Sequence, residues 1–153
     1  MERRAGALEV RIKADTVAAL KAGDKQRTAA LRLLTAALKK ARIDAGKDPA
    51  EADELVVLKR ERKRRLEAVQ AYRAAGRDEL AAGEVFEERL IAGYLPEELD
   101  EDEIARLVDE AIAETGAQTP KDMGKVMGAA MKRVAGRADG ALVRQVVQAR
   151  LGA

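Results

Sequence analysis

The 153-residue chain contains no cysteine, histidine, tryptophan, serine or asparagine, and a single phenylalanine, Phe86. Each absence removes a class of chemistry. Without cysteine there is neither a disulfide framework nor thiolate catalysis. Without histidine the commonest general base and transition-metal ligand is missing. Serine and cysteine, two of the usual nucleophiles, are both absent. Threonine, lysine and the carboxylates remain, but they are scattered along helical patterns. This inventory argues against an enzyme and points to no catalytic residue, no metal and no cofactor. Aromatic residues, at 2%, leave little on which the bases of single-stranded nucleic acid could stack. No window approaches the ~18 uncharged apolar residues of a membrane-crossing helix. The first sixteen residues, MERRAGALEVRIKADT, are broken by Glu9, Arg11, Lys13 and Asp15, so they hold no signal-peptide core. The expectation is a soluble, cytoplasmic protein with no membrane partner.

What is present is helical. Apolar residues make up 47% and charged residues 37%, and a chain of this length can bury roughly 70% of its unfolded surface. Ala, Leu, Glu, Lys and Arg dominate, and hairpin turn pairs are nearly absent, which is all-α composition. A first helix is expected to run to about Ala22 and stop at Gly23. Asp24 caps a second, with Leu31, Leu34, Leu38 and Ala41 on one face, which ends at Gly46. "DPAE" opens a third, with Asp48 at the N-cap, Pro49 first in the helix and Glu51 closing a capping box. It reaches Ala75 before Gly76. A fourth, from Asp78 to about Ala92, stops at "GYLP". Two further boxes, Asp100 with Glu103 and Thr119 with Asp122, open helices that end at Gly116 and Gly136, and Asp139 caps a last one. Seven helices follow in a four-plus-three pattern, as an N-terminal subdomain over residues 1–93 and a three-helix tail over 94–153.

Charge is segregated along this order. Residues 1–75 carry 19 basic and 11 acidic side chains, residues 76–118 carry 3 and 14, and residues 119–153 carry 7 and 2. The overall +2 therefore hides two basic regions around an acidic one, a separation that matters for partners. The densest run is "KRERKRR" at 59–65. Its helix face reads Leu55, Leu58, Leu66, Val69, Tyr72, and Arg62 falls in the gap, so Arg62 must snorkel or meet a carboxylate or a partner. Uncompensated like charges three and four apart repel. A polyanion or the acidic segment would relieve them. The acidic run "EELDEDE" lacks the glycine-interrupted spacing of a calcium loop and sits where helix N-termini favour acids.

The stretch "KDMGKVMGAAMKRVAGRADG" at 121–140 is glycine-rich and basic, yet it matches neither a P-loop nor a dinucleotide fingerprint. Gly124 and Gly128 lie inside a helix, where each costs about 1 kcal/mol against alanine. Close approach of another backbone, from a neighbouring helix or a phosphodiester, would offset that cost. Met123, Met127 and Met131 are expected in the core, and Lys121, Lys125, Lys132 and Arg133 on the surface. In "GRADG" the glycines Gly136 and Gly140 make a turn, and Arg137 stands beside the N-terminal amides of the last helix, a phosphate-contact arrangement.

Four motifs occur in order: "AGR" (75–77), "YLP" (94–96), "MGKVMG" (123–128) and "GRADG" (136–140). Their order and spacing resemble the YqeY family over essentially the whole chain. That domain also forms the C-terminal tail of the B subunit of tRNA-dependent glutamyl/aspartyl-tRNA amidotransferase and is appended to some glutaminyl-tRNA synthetases. The resemblance implies a module that binds the tRNA backbone while the chemistry is done elsewhere. It assigns nucleic-acid contacts to Lys63, Arg65 and Arg77 on the N-terminal helices and to Lys125 and Arg137 in the tail. Lys132 and Arg133 flank these on the same surface. Arg62 departs from the family, where an apolar residue is expected. Two alternatives stand beside this reading. One is a protein–protein adaptor docking on an aminoacyl-tRNA synthetase or amidotransferase subunit through the acidic 76–118 segment and Arg62. The other is a carbon–nitrogen ligase using glutamine, a label inherited from the larger protein.

Overall fold

The structure, a computed structural model, describes residues 3–152 and contains seven α-helices and no strand among them. They are α1 (Ala7–Lys21), α2 (Lys25–Ala45), α3 (Glu51–Ala74), α4 (Asp78–Ala92), α5 (Glu101–Thr115), α6 (Met123–Val134) and α7 (Gly140–Leu151), with a single 3-10 turn, Pro120–Asp122, leading into α6. The chain divides into two compact units, one running to Leu95 and the other starting at Pro96. No helix among the described residues is long and apolar enough to cross a membrane.

The helix punctuation follows from local chemistry. Asp24, Asp100 and Asp139 each accept a backbone N–H from the first turn of the helix that follows, which satisfies an otherwise orphaned donor. At α5 the box is complete, because Glu103 returns the bond to the Asp100 N–H. The third helix starts later than expected. Its N-cap is Ala50, and Asp53 accepts from the Ala50 N–H at 2.8 Å. Asp48, expected as the cap, instead accepts from the Arg4 N–H at 2.8 Å. It is therefore spent on tying down the segment before α1. At the end of α6 two successive residues are left-handed, Ala135 at φ 50° and Gly136 at φ 79°. The glycine tolerates this and the alanine is strained by it.

In the first unit the core gathers Ile12 and Ala19 of α1, Leu31, Leu34 and Leu38 of α2, Val57 and Leu58 of α3, and Ile91 and Tyr94 after them. Tyr94 and Leu95 pack here, so the "YLP" motif serves this core. The Tyr94 hydroxyl donates to Asp15, and the Arg11 guanidinium lies 4.9 Å from the ring centre. Burial, reinforced by the Asp15 carboxylate, pushes the Tyr94 hydroxyl pKa up to about 12.

Polar groups are also built into this unit. Glu9 is 1% exposed and receives Arg42 Nε at 2.8 Å and Nη2 at 3.3 Å, with Lys13 Nζ at 3.1 Å. Burial alone would raise the Glu9 pKa, but the hydrogen bonds from Arg42 and Lys13 outweigh it and hold the carboxyl below its usual value. Arg42 also donates to the Arg3 carbonyl at 2.7 Å. Beside this pair, Glu54 of α3 reaches the start of α1 and accepts from the Leu8 and Glu9 N–H groups at 3.0 and 2.9 Å. The α1 N-cap, Gly6, has no side chain, and a Cβ there would fall 2.3 Å from the Glu54 carboxylate. The carboxylate that caps α1 thus comes from 45 residues further along the chain. In the second unit Ile104, Val108 and Ala111 of α5, Val126, Ala130 and Val134 of α6, and Val143, Val147 and Leu151 of α7 form an apolar three-helix core.

Candidate nucleic-acid interface

The basic run on α3 divides between two sides of the helix. Its inner side carries Glu54, Val57, Leu58, Glu61 and Val69, all buried, so carboxylates sit where the apolar pattern led one to expect only leucines. Leu66, expected on the core face, is 43% exposed. Arg62 meets Glu88 of α4 at 2.8 Å. Arg65, 13% exposed, reaches Glu87 at 3.1 Å and also grips Glu61 on its own helix. Burial would lower the Arg65 pKa, but the bonds to Glu61 and Glu87 raise it, so its charge is fixed. The like-charge repulsion along α3 is therefore relieved within the unit by carboxylates of α4. Arg65 is occupied by that task. Lys63 stays exposed on the outer side, next to Lys59 and Arg60.

The "AGR" motif closes the α3–α4 hairpin. Gly76 adopts φ 71°, and the Arg77 N–H bonds to the Tyr72 carbonyl at 2.8 Å. Arg77 itself is exposed at this turn.

On α6 the faces separate cleanly. Val126, Ala130 and Val134 point into the core, while Met123, Met127 and Met131 are only partly buried at its margin. The opposite side presents Gly124, Lys125, Gly128, Ala129 and Lys132, which with Glu114, Thr115 and Arg133 line an open concavity of about 680 Å³. Nothing lies within 4 Å of a Cβ built on Gly124 or on Gly128. Among the described residues no neighbouring helix uses these glycines for close packing, so the first of the two explanations for them fails. They leave the floor of a groove bare instead. Lys125 and Lys132 are exposed along it, seven residues and hence two turns apart, and neither makes an ion pair among the described residues. Arg133 is committed, at 3.2 Å from Glu110 and 2.7 Å from Glu114.

The "GRADG" turn has a structural duty. Arg137 Nε donates to the Glu97 carbonyl at 3.0 Å, and the Arg137 carbonyl accepts from the Leu99 N–H at 2.8 Å. The arginine thereby clips the segment before α5 to the α6–α7 turn. Gly140 has only an ordinary contact, 3.8 Å from Met131 Cε, so no close approach requires it. Just before α6 Asp122 accepts the Gln118 and Thr119 N–H groups, and these bonds hold its carboxyl pKa below the usual value. The Arg65–Glu61 pair lies at i,i+4 on one helix and was open to sequence reasoning, but Glu87 as a partner of Arg65, and Glu110 and Glu114 as partners of Arg133, depend on which helices meet.

Of the basic residues expected to contact nucleic acid, Lys63 and Arg77 in the first unit and Lys125 and Lys132 in the second are exposed and make no ion pair among the described residues, while Arg65, Arg133 and Arg137 are tied into the fold. Compared with known families, the chain matches the model described as Yqey-like protein over residues 9–151. No curated protein matches it.

Proposed function

The chain belongs to the family of Yqey-like proteins, and on that premise we propose that it is a non-catalytic accessory module that binds the tRNA backbone in the cytoplasm. In this proposal the four-helix N-terminal unit, which takes in Tyr94 and Leu95 beyond the expected boundary at 93, and the three-helix tail each supply contacts, next to a synthetase or amidotransferase subunit that performs the chemistry. The observation that carries it is the groove on α6. Two glycines stand in mid-helix at a cost of about 1 kcal/mol each, among the described residues nothing lies within 4 Å of a Cβ added to either, and two lysines stand along the floor they leave open. Such a surface lets a phosphodiester chain come near the helix backbone while ammonium groups meet its phosphates. Flexible point charges suit recognition by backbone and shape.

The exchange Lys125→Ala with Lys132→Ala tests it by filter binding to unfractionated tRNA. Affinity is expected to fall about tenfold or more at moderate salt, and the slope of log affinity against log salt to flatten by about 1–2. Unchanged affinity and slope would sink the proposal. A second pair separates function from folding. Gly124→Ala with Gly128→Ala is expected to raise stability in thermal melts, by about 1 kcal/mol per site, because the added methyls meet nothing. The same pair is expected to weaken tRNA binding, since the methyls rise from the groove floor. Stabilisation without loss of affinity would show that the groove is not the contact.

A further inference from the structure

A second concavity, of about 590 Å³, lies within the first unit and is lined by Arg27 of α2, Arg73 of α3 and Arg89 of α4 around Phe86, Val85 and Leu90. No carboxylate lines it. Arg42, Arg62, Arg65, Arg106, Arg133 and Arg150 each hold an acid. Arg27, Arg73 and Arg89 make no ion pair among the described residues, although α4 is rich in glutamates. Arg32, Arg60, Arg77 and Arg144 likewise make no ion pair among the described residues, so what distinguishes Arg27, Arg73 and Arg89 is the hollow they share. Glu87 and Glu88 are engaged by Arg65 and Arg62, so Arg89 is left with two other arginines. Three helices thus bring three guanidinium groups to one hollow, an arrangement that favours entry of an anion.

We propose that this hollow is a binding site for a nucleoside phosphate, either free or as an unstacked nucleotide of an RNA. Guanidinium forks match phosphate oxygens in geometry and charge. Three of them around one hollow suit a single multiply charged group better than an acidic peptide, whose carboxylates are spread along its length. Phe86, the chain's only phenylalanine, is partly exposed in the wall and offers the base an apolar surface. The free-ligand form of this inference does not depend on the α6 groove. The RNA form rests on the tRNA-binding reading above.

The test uses the full chain with Arg73→Ala and Arg89→Ala combined. Both side chains are exposed, and retention of the helical circular-dichroism melt controls for folding. Binding of AMP and ADP is measured by equilibrium dialysis, with inorganic phosphate and a polyglutamate peptide as competitors, and binding of a single-stranded RNA oligonucleotide by anisotropy. About a tenfold loss per guanidinium, roughly 100-fold for the pair, is expected, and Phe86→Leu is expected to weaken AMP while leaving phosphate unchanged. Arginine-dependent binding of AMP or ADP identifies a free nucleotide as the ligand, and arginine-dependent binding of the oligonucleotide alone identifies RNA. Binding of neither, binding that survives the double exchange, or displacement of nucleotide by polyglutamate overturns the inference. The Lys125→Ala, Lys132→Ala protein is expected to keep its nucleotide affinity, so failure of the α6 groove and failure of this site give different results.

Discussion

Arg42→Leu is expected to lower the stability of the N-terminal unit by about 3–5 kcal/mol, read as an earlier transition in guanidinium unfolding. The argument rests on what is left behind. Glu9 is 1% exposed, and its carboxylate is satisfied by two guanidinium bonds and by Lys13. A leucine replaces the packing of the arginine stem but leaves the carboxylate buried with only the half-exposed lysine. Adding Glu9→Leu removes the stranded charge, so the double variant is expected to recover most of the loss, because an apolar pair can replace a buried ion pair at little cost. If the losses of the two single exchanges simply add in the double variant, the pair is not the source of the effect. The pH dependence has a definite sign. In the wild type the Glu9 pKa is held low, so its contribution is present above the ordinary carboxylate pKa and is lost as pH falls through the folded value. In the Arg42→Leu protein burial raises the carboxyl instead. The folded variant then takes up a proton before the unfolded chain does, and the gap to wild type narrows on acidification from neutral pH. A gap that widens there would contradict the assignment.

The second large effect is expected from the smallest change. Gly6→Ala places a methyl 2.3 Å from the Glu54 carboxylate. The side chain of Glu54 can swing away, but doing so abandons the Leu8 and Glu9 N–H groups it caps and moves a 3% exposed carboxylate into poorer surroundings. Bonds to a charged acceptor are worth about 1.5–3 kcal/mol each, so a loss of about 2–3 kcal/mol is expected after partial rearrangement. Glu54→Ala alone should cost a similar amount. In the Glu54→Ala background the methyl at position 6 has no carboxylate to displace, and Gly6→Ala should then be nearly neutral. Additive losses in the double variant would place the cost elsewhere.

Much of the fold could be read along the chain because helix ends are local events. Gly23, Gly46, Gly76 and Gly116 all adopt the positive φ their positions suggested, and Asp24, Asp100 and Asp139 all cap. The stripe of Leu31, Leu34 and Leu38 is buried as its spacing implied. The third helix resisted. Asp48 looked like a cap because Asp-Pro commonly opens a helix, but the Arg4 N–H claims it across 44 residues. The leucine-based face of α3 was misplaced around the helix, because its inner side carries Glu54 and Glu61. Glu54 has no periodic signature because the amides it serves lie on another helix, and Glu61 takes its inward place with Arg64 and Arg65 of its own helix. Partners on other elements also hid the commitments of Arg65 to Glu87, of Arg133 to Glu110 and Glu114, and of Arg137 to the Glu97 carbonyl. The glycines of α6 were recognisable as unusual, but only three-dimensional surroundings separate a packed glycine from a bare one.

The Glu54 cap has a consequence for motion. The first turn of a helix ordinarily frays, because its N–H groups answer only to water or to a side chain one turn away. Here the Leu8 and Glu9 amides answer to α3. They are released to solvent only when α3 withdraws or its carboxylate swings out, so their hydrogen exchange is slowed by the Glu54 contact in addition to local end-fraying. The start of α1 becomes a reporter of whether α3 is docked.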